Sequence, residues 1–540
     1  MMHRNRSVNV HQFAMVPRAD IPRSSFKIQK SHKTTFNSGY LIPVFCEEIL
    51  PGDSFNVKMT AFARLATPVF PIMDNAYLDS FFFFVPNRLV WTNWVRFMGE
   101  QDDPTDSIVF EVPVIESPED GWATGSLADY FGLPCEGQIT AGLTFEANAL
   151  PFRAYNLIYN EWFRDENLQT SVTMNRGDSG DDPTDYALLR RGKRHDYFTS
   201  CLPWPQKGGV AQALPLGSTA PVIIGAEHTI GTQPNSMTLR RSVSGAQAQG
   251  AVWASTGQMF DTGAAGSPVN LIYPSNLYAD LSEATAATIN DLRTSFQIQK
   301  LLERDARGGT RYTEIIRSHF GVYPPDARLQ RPEYLGGGST PLIINPVVQS
   351  SATTITDSDT PLGTLAAVGT ALANRQGFTQ SFTEHGFVIG LVSVRADLNY
   401  QQGLRKMWSR STRYDYYFPA FAMLGEQAVL TREIYCTGNP TIDDDVFGYQ
   451  ERWAEYRYSP SMITGEFKSY FTTPLDSWHL AQEFTAQPLL DATFIQETPP
   501  FSRILAQGSN GPEFIFDSFF DMRVVRPMPM YSVPGLIDHF

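Results

Sequence analysis

The chain is poor in the residues and motifs that do chemistry. Its four cysteines, Cys46, Cys135, Cys201 and Cys436, lie far apart with no Cys-x-x-Cys pair. That excludes a disulfide scaffold and predicts four buried free thiols, as a reducing cytoplasm preserves. No apolar run approaches the ~20 residues a membrane-spanning helix needs. The start, MMHRNRSVNVHQF, lacks the apolar core of a secretory signal. No HExxH, GxxxxGK[ST] or GxSxG sequence occurs, and no Gly-rich turn leads from a strand into a helix in the dinucleotide pattern. GGGST at 336–340 lacks the lysine of a phosphate loop and reads as a sharp turn. His195 in KRHDYF and His385 in EHG have charged neighbours, but read as hydrogen-bonded structural histidines. The acidic runs DSGDDPTD (178–185) and DDD (443–445) offer oxygen donors to a hard cation, yet read as solvated loop carboxylates. No catalytic residue, cofactor site or metal site is expected.

Charge is scarce too, at 18% of residues, whereas 42% are hydrophobic and 13% aromatic. Such a composition builds a packed core rather than a disordered chain. The 540 residues suffice for several ordinary domains or one large all-β fold. Residues 37–86 read as strands broken by turns, with Pro-Gly-Asp at 51–53 between two β-rich runs. From Glu384 onward strands return, in EHGFVIGLVSVRADLNY, RYDYYFPAFAML and PEFIFDSFFDMRVVRPMPMY. The period changes near 91–98 and 151–165, where Phe152, Tyr155, Tyr159 and Trp162 share one face of a helix that has Pro151 in its first turn. Two more helices are expected at 289–304 and 310–321. Strands at both ends with short helices and long loops between them predict an all-β dominated β-sandwich with inflated connections.

YLDSFFFFVPNRLVW (Tyr77–Trp91) poses a packing problem. Successive strand residues face opposite ways, so Phe82 and Phe84 point to one side and Phe81 and Phe83 to the other. Leaving two or three such rings wet would cost several times ~1.5–3 kcal/mol. Either an insertion of the same chain or a neighbouring subunit must roof the second face.

Three segments bear on function. Residues 1–33 carry Arg4, Arg6, Arg18, Arg23, Lys27, Lys30 and Lys33 against Asp20 alone, a charge of +6 on a chain totalling −14, so the remainder is −20. Residues 1–36 are therefore expected to be a basic arm that meets a polyanion without reading its sequence. Between Gly208 and Pro268 ten glycines fall in 61 residues, and only Glu227, Arg240, Arg241 and Asp261 are charged. That segment reads as a large loop excursion with short strands of its own. Finally, 400–419 and 447–467 pack arginine among Tyr and Trp with few aliphatic residues, as interfaces do. Arg405, Trp408, Arg413, Trp453, Tyr456, Arg457 and Tyr458 are the expected subunit contacts, unless they clamp the chain's own loops.

The same segments carry a family resemblance. FRAYNLIYNEWFRDENLQ (152–169), RGKRHDYFTSCLPWPQKG (191–208), LRTSFQIQKLLERDARGGTRYTEIIRSHFGV (292–322), RPEYLGGG (331–338), EHGFVIGLVSVRADLNYQQGL (384–404), DYYFPAFAMLGEQAV (415–429) and FGYQERWAEYRYSPSMITGEFKS (447–469) resemble the major capsid protein of microviruses, closest to the gokushovirus branch. The resemblance covers most of 1–207 and 284–540. It implies a single eight-stranded jelly roll with large insertions, divided into 1–36, 37–207, 208–283 and 284–540. Pentamers and a sixty-copy T=1 shell would enclose circular single-stranded DNA. The insertion at 208–283 would form a threefold surface protrusion carrying Ile230, Pro234, Arg240, Arg241, Trp253 and Phe260 for host attachment. The partners implied are an internal scaffolding protein, a small basic DNA-binding protein, a pilot protein and a host cell-surface receptor. Assembly would occur in the host cytoplasm, with no enzymatic activity. The rival class, a carbohydrate-active or lectin-like β-sandwich, would need a carboxylate pair at a defined separation, and none is legible.

Overall fold

Strict alternation builds the first sheet. In SFNVKMTAFARL every second side chain from Phe55 to Leu65 is buried and the intervening ones turn outward. In the computed structural model of the chain the described residues are 23–98, 109–206, 330–350, 363–506, 508 and 510–531, with short pieces between 222 and 307. Two compact units are present, one formed by Met1–Pro205 with Gly308–Phe540, the other by Gln206–Arg307.

The first unit is a β-sandwich. Its strands are β1 (Ser24–Phe36), β2 (Ile42–Ile49), β3 (Ser54–Leu65), β4 (Ala76–Pro86), β5 (Glu333–Pro341), β6 (Ile343–Val348), β7 (Leu365–Ser381), β8 (Gly386–Ala396) and β9 (Phe514–Arg526). One antiparallel sheet has the order β1-β9-β3-β7-β6 and the other β5-β4-β8-β2. From β1 to β4 and again from β7 to β9 successive strands alternate between the two sheets, as in a jelly roll, whereas β4 pairs with β5 and β6 with β7 inside one sheet. Among the described residues the two sheets hold nine strands, with β6 folded back on the long β7 as an edge strand. Pro346 in β6 lacks the N–H that an inner ladder needs, which suits it to that edge.

The chain itself roofs the second face of the phenylalanine run. Phe82 and Phe84 enter the core between the sheets, 5.5 Å from Phe378 and 4.6 Å from Phe382 respectively. On the opposite face Phe83 meets Trp162 at 5.4 Å and Phe81 meets Phe163 at 5.2 Å. Both partners lie in the π-helical turn Tyr159–Phe163 that continues the helix Leu150–Ile158. The helix expected over 151–165 is present with Pro151 in its first turn, and Phe152, Tyr155 and Tyr159 are buried. Beneath it, Arg153 makes a bidentate ion pair with Asp181, both contacts 2.7 Å, with neither side chain more than 1% exposed. Tyr186 donates to the same carboxylate at 2.6 Å.

Three local expectations are corrected. Residues 24–36 are not a free arm but the 13-residue strand β1, paired along its length with β9. Gly336–Gly338 form no turn; they run within β5 against β4. A Cβ on Gly337 would stand 2.0 Å from the Ser80 carbonyl oxygen, so the glycine permits close strand approach. Residues 413–424 form short 3-10 turns rather than a strand. The helices expected at 289–304 and 310–321 lie outside the described residues, apart from helical positions at Ile298, Gln299, Leu302 and Glu303.

Among the described residues of the second unit are three nested antiparallel pairs: Val222–Ile224 with Leu277–Ala279, Leu239–Arg241 with Ile272–Pro274, and Ala251–Trp253 with Met259–Asp261. This is a long excursion with short strands of its own. Arg240 and Arg241 lie in the middle pair, Trp253 and Phe260 in the innermost. Ile230 and Pro234 lie outside the described residues.

Candidate assembly surface

Residues 400–475 are mounted on a small core of their own. The ribbon Glu426–Leu430 with Val446–Glu451 packs Val429 and Phe447 against Tyr197, Phe198, Cys201, Ile434 and Phe494. Tyr197 donates to Glu433 at 2.8 Å, and Lys406 reaches Glu433 at 3.3 Å and the Ala428 carbonyl at 2.9 Å. The chain then runs through 3-10 turns at Lys406–Ser409, Arg413–Asp415, Pro419–Phe421 and Ala454–Tyr456. Thr412 and Asp415 close a capping box at the second of these.

With few aliphatic residues to bury, arginines hold these turns together. The Arg410 guanidinium lies 4.3 Å from the Tyr456 ring and 2.8 Å from Glu455. Arg413 lies 5.2 Å from the Phe418 ring and Arg452 4.4 Å from Trp453. Arg405 donates to Ser459 at 3.1 Å, while Arg457 pairs with Glu451 and donates to the Arg452 carbonyl at 2.9 Å.

The expected contact residues separate into two groups. Trp453 is buried, donates through Nε1 to the Phe421 carbonyl at 3.0 Å and takes the Tyr417 ring edge-on at 5.6 Å. It is an internal clamp, so its expected place at a subunit contact is corrected: the loops it joins need a central anchor. Trp408, by contrast, is 69% exposed, and Tyr456 and Tyr458 are exposed as well. Met407, Tyr414, Tyr416, Met423, Leu424, Met462, Tyr470 and Phe471 extend the exposed apolar set. Tyr470 and Phe471 lie just beyond 447–467, in KSYF, a stretch of the same aromatic and basic character.

The other candidates take structural places. Asp178 accepts from Trp91 Nε1 at 2.6 Å, and Asp182 accepts from Thr184 N at 2.8 Å. The backbone N–H groups of Thr437 and Gly438 hold the Asp443 carboxyl below its usual range. The His385 ring lies 5.5 Å from Trp94, and His195 is exposed. All four thiols are free, but only Cys201 is buried; Cys46 and Cys135 are half-buried and Cys436 is exposed. Cys436 sits on the loop that leads into the turn capped by Asn439, its Sγ 3.6 Å from the Asp443 carboxylate.

Of the basic residues, Arg23 donates to Ser54 Oγ at 3.2 Å and Lys33 pairs with Asp517 at 2.7 Å. Lys30 turns inward, paired with Glu47 at 2.5 Å and 4.5 Å from the Phe45 ring. Lys27 is exposed, and Arg4, Arg6 and Arg18 lie outside the described residues.

Among the described residues this aromatic surface is exposed, and exposed apolar surface of that kind is what structural, self-associating proteins present. The family model of the phage capsid protein, the F protein, matches residues 14–536, and the chain belongs to that family. It is 48% identical to capsid protein VP1 of Bdellovibrio phage phiMH2K over 98% of this chain and 99% of that protein. Identity is 43% with capsid protein VP1 of Chlamydia phage 1 and 38% with that of Spiroplasma virus 4, each over 98% of both chains. The resemblance read from 152–169, 191–208 and the later stretches is thus shown. The chain is a capsid protein, a structural component of a virion and not an enzyme.

Proposed function

We propose that sixty copies of this chain close into a T=1 icosahedral shell around circular single-stranded DNA. The exposed rings between Met407 and Phe471 are the observation that carries self-assembly. Exposed apolar patches mark interaction sites, and the arginine contacts at Arg410, Arg413 and Arg452 hold the turns that carry these rings. Pentamers are the intermediate this reading implies, with an internal scaffolding protein, a small basic DNA-binding protein and a pilot protein as partners, and the host cytoplasm as the place of assembly. Lys27 and Lys33, with Arg4, Arg6, Arg18 and Arg23, supply positive charge for the genome.

The Gly-rich excursion 208–283 is the threefold protrusion and the host-facing surface in this reading. Its low charge supports packing against symmetry mates. Its nested hairpins support tolerance of change, since loop closure costs only ~0.6 kcal/mol more per doubling of length. Replacing 216–270 with a Gly/Ser linker should leave particles that close but attach poorly to cells.

The shell itself is tested by sedimentation and electron microscopy of the purified chain. Closed particles of one size, or stable pentamers, are expected. A persistent monomer that binds or hydrolyses glycans would overturn the proposal in favour of a lectin-like or carbohydrate-active sandwich.

A further inference from the structure

We infer that the outer face of the five-stranded sheet is a stacking platform for single-stranded nucleic acid, with Phe62 and Phe519 holding bases and Lys27, Lys58, Arg64 and Arg523 holding phosphates. This rests on the shell reading above and names the surface that meets the enclosed strand.

Strand register brings these side chains together. Across β1, β9 and β3 the outward rows are Lys27–Arg523–Asn56, Gln29–Asp521–Lys58, Ser31–Phe519–Thr60, Lys33–Asp517–Phe62 and Thr35–Ile515–Arg64. Phe519 and Phe62 stand in adjacent rows on the neighbouring strands β9 and β3, so the rings are diagonal neighbours. They are 45% and 44% exposed, while Phe520, Phe516 and Met59 on the opposite side of the same strands are buried. Cations flank the rings, with Arg523, Lys27 and Lys58 toward one end and Arg64 toward the other.

The charges favour a polyanion. Across β1, β9 and β3 the face holds Lys27, Lys33, Lys58, Arg64 and Arg523 against Asp517 and Asp521, net positive on a chain whose total is −14. Asp517 is paired with Lys33 at 2.7 Å and Asp521 accepts from Gln29 at 3.3 Å. Lys27, Lys58 and Arg64 form no salt bridge among the described residues. A second copy of the same face would set like charges against each other, and protein interface cores are depleted of charge. A single strand matches both features: every base has a π-face to stack on an aromatic ring and every phosphate takes a cation. Sheets that present two or three exposed aromatics bind single strands in this way without needing a groove. The opposite sheet cannot serve, because its outer face lies under the helix Leu150–Ile158 and its π turn.

The test uses the full chain. Binding of oligothymidine, and of an abasic strand of equal length, is measured by fluorescence anisotropy for wild type, F62S/F519S and K58Q/R64Q/R523Q. All five positions face solvent, so circular dichroism should be unchanged. The ring variant should lose about tenfold or more in affinity for oligothymidine and little for the abasic strand. The charge variant should weaken both and flatten the salt dependence. In packaged particles, bromodeoxyuridine-substituted genome should cross-link to peptides containing Phe62 or Phe519. Unchanged affinities with cross-links elsewhere would overturn the platform, as would protection of this face by a bound protein in particles emptied of DNA. A chain that binds oligothymidine as described yet never forms particles would overturn the shell reading and leave the platform standing.

Discussion

The ring of Phe83 lies 5.4 Å from that of Trp162, joining the middle of β4 to a turn 79 positions further along the chain. This contact, with Phe81 on Phe163, lets a sheet be apolar on both faces without a second molecule. Phe83→Ala should destabilise the subunit by about 3–5 kcal/mol, whereas Trp162→Ala, at a partly exposed site, should cost less. Because the rings touch, the double variant should cost less than the two singles added. Chemical denaturation of the three variants checks this; simple additivity would mean that the contact is not what closes the seam.

Arg153 and Asp181 are a charged pair sealed beneath the same roof. Arg153→Met alone leaves a buried carboxylate that keeps only Tyr186 and Asn175 as donors, and should cost about 3–5 kcal/mol. Arg153→Met with Asp181→Leu should recover much of that loss, since an apolar pair often replaces a buried ion pair at little net cost. Equal instability of the single and double variants, again by denaturation, would contradict the assignment.

Trp408 and Trp453 should behave oppositely. Trp408→Ala should leave the circular dichroism and melting of the subunit near wild type while particle yield falls, since anchors of this kind are worth about 2 kcal/mol or more at each contact. Trp453→Ala should melt earlier before any effect on assembly is read, by about 3–5 kcal/mol. Wild-type particle yield from Trp408→Ala would move the subunit contact elsewhere.

Lys193 gives the subunit an alkaline signature. Burial lowers its pKa from 10.5 to about 8, against the opposing pull of Glu497, Asp196 and Asp491. Its ammonium reaches Gln482 at 2.7 Å and lies 4.3 Å from the Phe494 ring. Between these two pKa values the unfolded chain holds a proton that the folded chain has released, so this residue makes stability rise with pH from about 8 toward 10. Lys193→Met should flatten that rise relative to wild type in urea midpoints measured across the window. A parallel pair of profiles would refute it.

What could be read in advance followed local periodicity. The alternation in SFNVKMTAFARL, the helical spacing from Phe152 to Tyr159 and the double-sided run at Phe81–Phe84 each name a burial pattern that the fold keeps. What covered the run was not readable, because the answer depends on where a segment 80 residues away packs. The stretch KIQKSHKTTF misled because its lysines were weighed as charge, although Lys27, Gln29, Ser31, Lys33 and Thr35 already alternate with Ile28 and Phe36 as an edge strand does. Gly336–Gly338 misled for a related reason: a glycine for a turn and one for close strand approach look alike until the partner carbonyl is known. Trp453 was indistinguishable from Trp408 by composition, and only the carbonyl of Phe421 separates clamp from contact.

Strand β1 has its ladder partner at the far end of the sandwich, with Ser24 opposite Arg526 and Phe36 opposite Phe514. A ribosome adding about 5–20 residues per second exposes β1 roughly 25–100 s before β9 exists. Until then β3 also lacks one neighbour, because β9 is the strand that lies between it and β1. The five-stranded sheet therefore closes only after translation has passed residue 526, and a prematurely terminated chain keeps two unzipped edges. Such a product presents the backbone groups of β1 and β3 unpaired, a template for pairing with other chains. The order of strands thus makes closure of this sheet wait on the synthesis of β9.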